Sequence, residues 1–150
     1  MDGMTVEISR VLFPTDFSAP STLALSYARG YCERFGATLG VIHVLHLTNF
    51  FLGDGTFAFG DEANRLRQAA RTELDALAGR LRAEGQQCST QLLEGPPHIE
   101  IGRYALEWKA DLLVIGTHGR TGLDHVTFGS VTERVLHSAP CPVLVIPAKK

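Results

Sequence analysis

The feature that most constrains this chain is a glycine-containing stretch between two regular segments. Leu112–Ile115 is a short apolar run typical of a buried strand, and Val131–His137 can form a helix. Between them, Gly116 and Gly119 give the backbone freedom and leave room for a ligand. A helix that begins at Gly129-Ser130 would point free N–H groups and its positive dipole end back at this loop. The combination favours a phosphate site over a glycine-rich turn without a ligand.

Strand and helix patterns alternate along the rest of the chain. This alternation predicts a parallel sheet with right-handed crossovers, an α/β sandwich of five strands in an open sheet between about four helices. If strands one to three form one half of the sheet and strands four and five the other, the order of strands across the sheet is 3-2-1-4-5. A length of 150 residues predicts a single domain over residues 1–150. The predicted strands are Ile8–Phe13, Thr38–Leu45, Gln87–Leu93, Asp111–Ile115 and Val143–Ile146.

The predicted helices carry clear boundary signals. The first follows Asp16 and Ser18, both plausible N-caps, and ends at Gly36, where a C-cap belongs. The second has an amphipathic stripe over Leu66–Leu81. The third covers Ile101–Trp108, and Val131–His137 is the fourth.

Composition and charge exclude several classes of protein. The chain is 45% hydrophobic and 20% charged, as globular proteins are, and its net charge of -2 argues against a nucleic-acid binder. No apolar run reaches membrane-spanning length. The three cysteines have no CxxC spacing, so neither a disulfide framework nor a zinc site is indicated. The first residues lack signal-peptide features, and we expect a cytoplasmic protein.

The predicted strand order brings two distant segments together. Strands one and four become neighbours whose following helices leave to opposite faces of the sheet. Ligands in such sheets bind at this switch point, outside the carboxyl ends of the strands. Strand one ends at Thr15-Asp16 and strand four ends at the Gly116 loop. Both signals therefore predict one site.

The segment Thr48–Asp61 follows neither the strand nor the helix pattern. It contains three glycines and four phenylalanines and is long for a loop in a compact domain. It could close over a ligand as a lid. Packing of its phenylalanines on the body of the protein or on a second subunit is the interpretation we favour.

With these residues in hand, the chain resembles the universal stress protein family over nearly its whole length. Pro14–Ser18 is similar to that family's strand-one ending, His43-Val44 to its strand-two ending, and Gly95-x-Pro97 to its turn before helix three. Pro140–Val145 is similar to its final strand. Gly116-x2-Gly119-x9-Gly129-Ser130 matches the G-x2-G-x9-G-[S/T] pattern of the ATP-binding branch. The resemblance implies a Rossmann-like nucleotide-binding fold in a cytoplasmic homodimer that binds ATP, aids stress survival and hydrolyses ATP slowly at most.

The resemblance and the predicted site together suggest roles for individual residues. Asp16 would bond the ribose hydroxyls or, through Mg²⁺, the phosphates, although it could serve only as an N-cap. Val44 and Ile115 would flank adenine, as well as belonging to the core. The glycines would give N–H groups to the phosphates, helped by the hydroxyls of Ser130 and Thr132. The predicted nucleotide-binding residues are Pro14, Thr15, Asp16, Val44, Ile115, Gly116, Thr117, His118, Gly119, Arg120, Gly129, Ser130, Val131 and Thr132.

The side chains available for catalysis are few. Arg120 is the side chain best placed to reach a phosphate, although an arginine in an exposed loop is commonly only solvated. His43 and His46 are three apart on a strand and cannot share a metal ion. His118 and His125 could touch phosphate, but no carboxylate–histidine cluster accompanies them, so Mg²⁺ would come with ATP.

Known catalytic motifs are missing from the sequence. It has no G-x4-G-K-[ST] lysine and no G-x-S-x-G elbow. This favours an ATP-binding regulator. An adenylating enzyme of related fold and an interaction module that works without nucleotide are the alternatives.

The last predicted strand, Val143–Ile146, lies at the sheet edge. A bare apolar edge is normally covered or paired, which predicts a homodimer through this strand. A monomer whose edge is shielded by Pro142 and Pro147 is the alternative. A regulatory protein partner is also expected, without any indication of its identity.

Overall fold

Strands and helices alternate throughout the computed structural model, which describes residues 3–47, 60–117 and 128–148. Within these residues the chain has five strands and four helices. In chain order they are β1 Arg10–Pro14, α1 Ala19–Phe35, β2 Thr38–Leu45, α2 Gly60–Ala83, β3 Cys88–Glu94, α3 Pro97–Glu107, β4 Leu112–Gly116, α4 Ser130–Ser138 and β5 Val143–Ile146.

The five strands form one parallel sheet in the order β3-β2-β1-β4-β5, which confirms the predicted order. β1 is central, since Val11 pairs with Leu39 of β2 on one side and Leu112 of β4 on the other. The carboxyl ends of β1 and β4 are therefore neighbours, as a ligand site at the switch point requires.

Successive residues of the central strands enter two different apolar layers. Val11 and Phe13 pack with α1 and α2, whereas Leu12 packs with α3 and α4. In β4, Val114 belongs to the first layer and Ile115 to the second. Both faces of these strands are buried, which explains why the strands read as continuous apolar runs and not as alternating ones.

Several predicted boundaries were wrong. β1 begins at Arg10 and not at Ile8, because the N–H groups of Ser9 and Arg10 donate to Asp111 Oδ2 at 2.8 and 2.9 Å before the strand pairs. The same strand continues through Pro14. Helix α3 begins at Pro97, since proline suits the first helical turn.

The loop predicted over Thr48–Asp61 ends earlier than expected. Gly60 and Asp61 already belong to α2, whose first turn carries Asp61 and Glu62, acidic residues that favour a helix start. Residues 48–59 lie outside the described residues, so whether they form a lid or an interface stays a prediction.

Helix α1 is closed at both ends by the residues that its sequence suggests. Of the two N-cap candidates, Ser18 is the cap, and its hydroxyl accepts from the N–H of Ser21 at 3.4 Å. Gly36 takes the left-handed conformation at φ 67° and its N–H bonds to the carbonyl of Cys32. None of the helices in the described ranges has the length and apolar character that a membrane crossing requires.

Candidate functional site

A cleft of about 370 Å³ opens at the carboxyl edge of the sheet between β1 and β4. Its size is that of a small-molecule site. The ends of β1, β2 and β4 and the first turns of α1, α3 and α4 form its walls. The lining residues are Pro14, Thr15, Asp16, Ser21, His43, Val44, Pro97, Ile101, Ile115, Gly116, Gly129, Ser130, Val131 and Thr132.

Most of the predicted site residues that the structure describes meet in this cleft. Thr117 does not line it. Its side chain is buried, its N–H donates to the carbonyl of Ile146, and its hydroxyl accepts from the N–H of Ala148. His118, Gly119 and Arg120 lie outside the described residues. The residues brought together are Pro14, Thr15, Asp16, Val44, Ile115, Gly116, Gly129, Ser130, Val131 and Thr132.

Four lining residues were missed by sequence reasoning about the site: Ser21, His43, Pro97 and Ile101. A usable signal existed for two of them. His43 stands at the carboxyl end of β2 and Pro97 begins the helix after β3, so both belong to the edge where the cleft lies. Ser21 and Ile101 are inside helices, and only the packing of those helices brings them to the cleft.

Asp16 sits in a tight turn between β1 and α1. Its Oδ1 accepts from the N–H of Ser18 at 2.9 Å, and the hydroxyl of Thr15 accepts from the N–H of Phe17 at 3.0 Å. Phe17 has a positive φ of 62°, which is unusual for a residue with a side chain. The carboxylate of Asp16 thus stabilises its own turn and also lines the cleft. Ser18, and not Asp16, is the N-cap of α1.

Helix α4 begins at the cleft without a side-chain cap. Its N-cap is Gly129, at φ -67° and ψ 160°, and the first helical bond runs from the N–H of Glu133 to the Gly129 carbonyl. Glycine has no side-chain oxygen that could satisfy the first-turn N–H groups of Ser130–Thr132. An anion in the cleft can take that place, whereas the hydroxyl of Ser18 already does so in α1.

The hydroxyl of Thr132, which we predicted to donate to the phosphates, donates to the backbone instead. The side chain is 4% exposed, and Oγ1 donates to the carbonyl of Gly116 at 2.7 Å. A second bond, from the N–H of Gly129 to the carbonyl of Thr117 at 2.6 Å, joins the same two segments. The hydroxyl hydrogen of Thr132 therefore fastens α4 to the end of β4, and phosphate oxygens would need other donors.

Part of the cleft lining is apolar. Val44, Ile101, Ile115 and Val131 belong to the layer between the sheet and helices α3 and α4. Ile101 and Ile115 are buried, and Val44 and Val131 are partly exposed. The cleft thus offers apolar side chains to a flat apolar group and the N-terminus of α4 to an anion.

The described residues contain no group of three or more histidine, cysteine or acidic side chains that could hold a metal ion. Asp16 is the sole acidic residue of the described cleft lining. All three cysteines are free and outside the cleft. Burial raises the pKa of the Cys32 thiol to about 11, and burial followed by the charge of Asp111 raises the pKa of Cys141. Neither of these two thiols is an activated nucleophile.

The fold and the cleft define a class: a Rossmann-like α/β protein with a ligand site at the switch point of an open parallel sheet. Residues 7–147 match the universal stress protein family, and the chain belongs to that family.

Its relatives include two proteins of Methanocaldococcus jannaschii. The chain is 34% identical over 143 residues to universal stress protein MJ0531, with 94% of this chain and 83% of that one covered. It is 28% identical over 160 residues to universal stress protein MJ0577, with coverage of 97% and 99%.

Solved structures share the fold over almost the whole chain. The structure of MJ0577 superposes with a TM-score of 0.85 at 28% identity, covering 97% of this chain and 99% of that one. Universal stress protein UspA from Lactobacillus plantarum superposes with a TM-score of 0.82 at 26% identity, covering 95% of this chain and 99% of that one. A universal stress protein from Archaeoglobus fulgidus, solved in complex with dAMP, superposes with a TM-score of 0.66 at 24% identity, covering 95% of this chain and 99% of that one. This last likeness is one of fold.

Proposed function

We propose that this protein binds ATP in the cleft between β1 and β4 and acts as a dimeric regulator of stress response and survival, with slow ATP hydrolysis at most. The observation that carries the proposal is the division of one cleft into an apolar end and an uncapped helix N-terminus at Gly129-Ser130. Family membership supports the stress-related role.

The apolar end suits a purine base. Val44 from β2 and Ile115 from β4 approach the cleft from neighbouring parts of the sheet edge, and Val131 adds a third apolar side chain. A base held between such side chains buries its faces, and the edges of the base can bond to backbone groups at the strand ends.

The polar end suits the phosphates. Gly129, the N-cap of α4, offers no side-chain acceptor to the first-turn N–H groups at Ser130–Thr132, and the positive end of the helix dipole attracts an anion. The Ser130 hydroxyl is a further donor. The predicted roles of Gly119 and Arg120 toward the phosphates belong to this proposal.

Asp16 is the candidate for the ribose. A carboxylate can accept hydrogen bonds from two neighbouring hydroxyls, and Asp16 lines the cleft. The same carboxylate could instead bind Mg²⁺ accompanying ATP, because this ion often takes one protein carboxylate together with phosphate oxygens and water.

Slow chemistry follows from the small number of reactive groups. Phosphoryl transfer needs a metal clamp and an oriented nucleophile, and the described lining offers one carboxylate, Asp16. Product analysis separates the alternatives. A regulator gives ADP slowly, whereas an adenylating enzyme releases pyrophosphate or AMP with an acceptor. An interaction module that works without nucleotide gives neither product and binds no ATP.

Retained ligand and direct titration test the proposal. We expect purified protein, once denatured, to release adenine nucleotide detectable by mass spectrometry, or the ligand-free protein to bind ATP in calorimetry. The absence of both results would overturn the proposal.

Gly129→Asp tests the anion end specifically. Aspartate is a favourable N-cap at the extended conformation of Gly129, so its carboxylate should accept from first-turn N–H groups of α4 and repel phosphate without unfolding the helix. We expect ATP affinity to fall by about tenfold or more, measured by calorimetry. Gly129→Asn, which can cap the helix without adding a charge, is the matched control, and its ATP affinity should fall less than that of Gly129→Asp. Equal, undiminished affinities in both variants would mean that the phosphates lie elsewhere.

The dimer rests on the position of β5 at the sheet edge. In the described residues, Val143–Ile146 pairs with β4 on one side and with no strand on the other, and three of its four side chains are only partly buried. In a two-fold pairing of β5 with its copy, a residue near the axis meets its own equivalent.

Cysteines placed singly along β5, in a Cys141→Ser background, should therefore include one position that forms a disulfide-linked dimer. A cysteine on the exposed face of α2, at Ala76, is the control and should not cross-link. A monomer mass by sedimentation at every concentration would contradict the dimer.

A cytoplasmic location and an unidentified regulatory protein partner complete the proposal. Fractionation of cells tests the location, and affinity capture with and without ATP tests whether partner binding depends on nucleotide.

A further inference from the structure

We propose that His43 is a positioning residue for the nucleotide site: its Nδ1–H and its ring hold the turn that carries Asp16. This inference rests on the proposed function, because the turn matters only if Asp16 binds part of a nucleotide.

The central observation is a hydrogen bond across two strand ends. His43 Nδ1 lies 2.7 Å from the carbonyl oxygen of Thr15. A carbonyl oxygen only accepts, so Nδ1 carries the hydrogen and donates it. The bond is part-buried and joins the end of β2 to the residue directly before Asp16.

The imidazole ring makes a second contact, on the other side of Asp16. Its centroid lies 4.7 Å from the centroid of the Phe17 ring, at an interplanar angle of 39°. Phe17 is held at a φ of 62°, a conformation that a residue with a side chain adopts only when surrounding contacts enforce it. His43 thus touches both chain neighbours of Asp16.

Other bonds also fasten the turn, and the hydroxyls of Thr15 and Ser21, 2.9 Å apart, join it to α1. The N–H of Thr15 donates to the carbonyl of Ile42 at 2.8 Å, which fixes where the turn begins. The bonds of Thr15 to Phe17 and of Asp16 to Ser18 are internal to the turn and shape it without setting its orientation on the sheet. The side chain of His43 adds a hydrogen bond and a ring contact that hold the turn against β2.

Strand alternation separates His43 from the base-binding end. The side chain of Val44 packs in the layer of α3 and α4, whereas Phe17 packs against the layer of α1 and α2. Successive strand residues point to opposite faces, so the imidazole that meets Phe17 lies across the sheet from the Val44 side chain. His43 is among the lining residues of the cleft, and its ring faces Phe17 in the turn.

Substituting His43 by the two amide residues, asparagine and glutamine, distinguishes the role of the Nδ1 donor from general packing. The side-chain nitrogen of asparagine can occupy the place of Nδ1, and that of glutamine the place of Nε2. We expect His43→Asn to keep ATP affinity within about twofold of the unsubstituted protein, and His43→Gln and His43→Leu to lose about tenfold, by calorimetry. Equal losses in the Asn and Gln variants would overturn the role of the Nδ1 donor.

If His43 acts through Asp16, its substitution should change how well the site distinguishes ribose with and without hydroxyls. A purely structural role would not change that preference. ATP and 2′,3′-dideoxy-ATP are compared as probes. The unsubstituted protein should prefer ATP, and His43→Leu should lose most of that preference. In an Asp16→Ala background, adding His43→Leu should change affinity by less than about twofold, because the residue being positioned is gone.

The results separate this inference from the proposed function. If the unsubstituted protein binds ATP and His43→Leu binds it equally well, the positioning role is wrong and the proposed function stands. If His43→Leu weakens ATP binding equally with and without Asp16, His43 does not act through Asp16. If the unsubstituted protein binds no ATP, both proposals are wrong.

Discussion

Gly40 of β2 lies directly against the ring of Trp108. A Cβ added at Gly40 would lie 2.7 Å from Cη2 of that ring and 3.0 Å from two further ring atoms. The ring has little room to move. The guanidinium of Arg10 lies over it at 5.6 Å and donates to the Trp108 carbonyl at 2.6 Å, and Tyr104 stacks on it at 6.4 Å. Glycine is needed here for space.

Gly40→Ala should therefore lower the free energy of unfolding by about 1–3 kcal/mol, the usual cost of overpacking. Urea denaturation measures the change. Trp108→Leu makes room, so the same Gly40→Ala substitution should cost less in that background. A neutral Gly40→Ala variant would show that the Trp108 ring can shift freely.

At the scale of elements, two glycines of the helical segments have opposite roles. Gly36 ends α1 at φ 67°, whereas Gly79 lies inside α2, and an added Cβ would meet no atom within 4 Å at either position. Sterically the two sites are alike, so the backbone alone decides the effect of a substitution.

Gly36→Ala should lower the free energy of unfolding by about 1 kcal/mol, because alanine disfavours a positive φ. Gly79→Ala should raise it by about 0.5–1 kcal/mol, because alanine is the better residue in a helix interior. Thermal and urea unfolding of the two variants, compared with the unsubstituted protein, measures both changes. Shifts of the same sign would contradict the assigned ends of these helices.

Two other helix ends explain why α4, and not α1, serves the candidate anion site. Both helices begin at the carboxyl edge of the sheet. Ser18 caps α1 with its own hydroxyl, and Gly129 leaves α4 without a side-chain cap. The two helices thus differ at the N-cap residue, and of these two only α4 lacks a side-chain cap bond.

For the molecule as a whole, ligand binding and unfolding are linked. If residues 1–150 form one domain, calorimetry should show a single transition with equal calorimetric and van't Hoff enthalpies. ATP at 100 times its Kd should add about 2.7 kcal/mol to the free energy of unfolding and raise Tm. Gly129→Asp, at the same ATP concentration, should show the single transition with a smaller rise, about 1.4 kcal/mol for a tenfold loss of affinity. Two separate transitions would contradict the single domain.

Sequence reasoning predicted the strand order and most of the cleft lining because both depend on short segments. Apolar runs such as Leu112–Ile115 mark strands buried on both faces, and the alternation of strands with helices restricts the topology to a few possibilities. Residues that directly follow the strands, such as Asp16 and Gly116, then meet at one edge. The boundaries of β1 and α2 were less accurate, since the partner of Ser9 and Arg10 is Asp111, far away in the chain.

The sequence by itself determined the elements, the C-cap of α1, the family and the edge at which a ligand would lie, because these follow from neighbouring residues and a repeating pattern. For the N-cap of α1 it left two candidates, Asp16 and Ser18. Only the tertiary structure decided what individual side chains do there. The hydroxyl of Thr132 bonds to Gly116, and the imidazole of His43 bonds to Thr15, 28 positions earlier. Such bonds depend on which distant backbone atoms come within about 3 Å of each other, and packing of the whole sheet sets those distances.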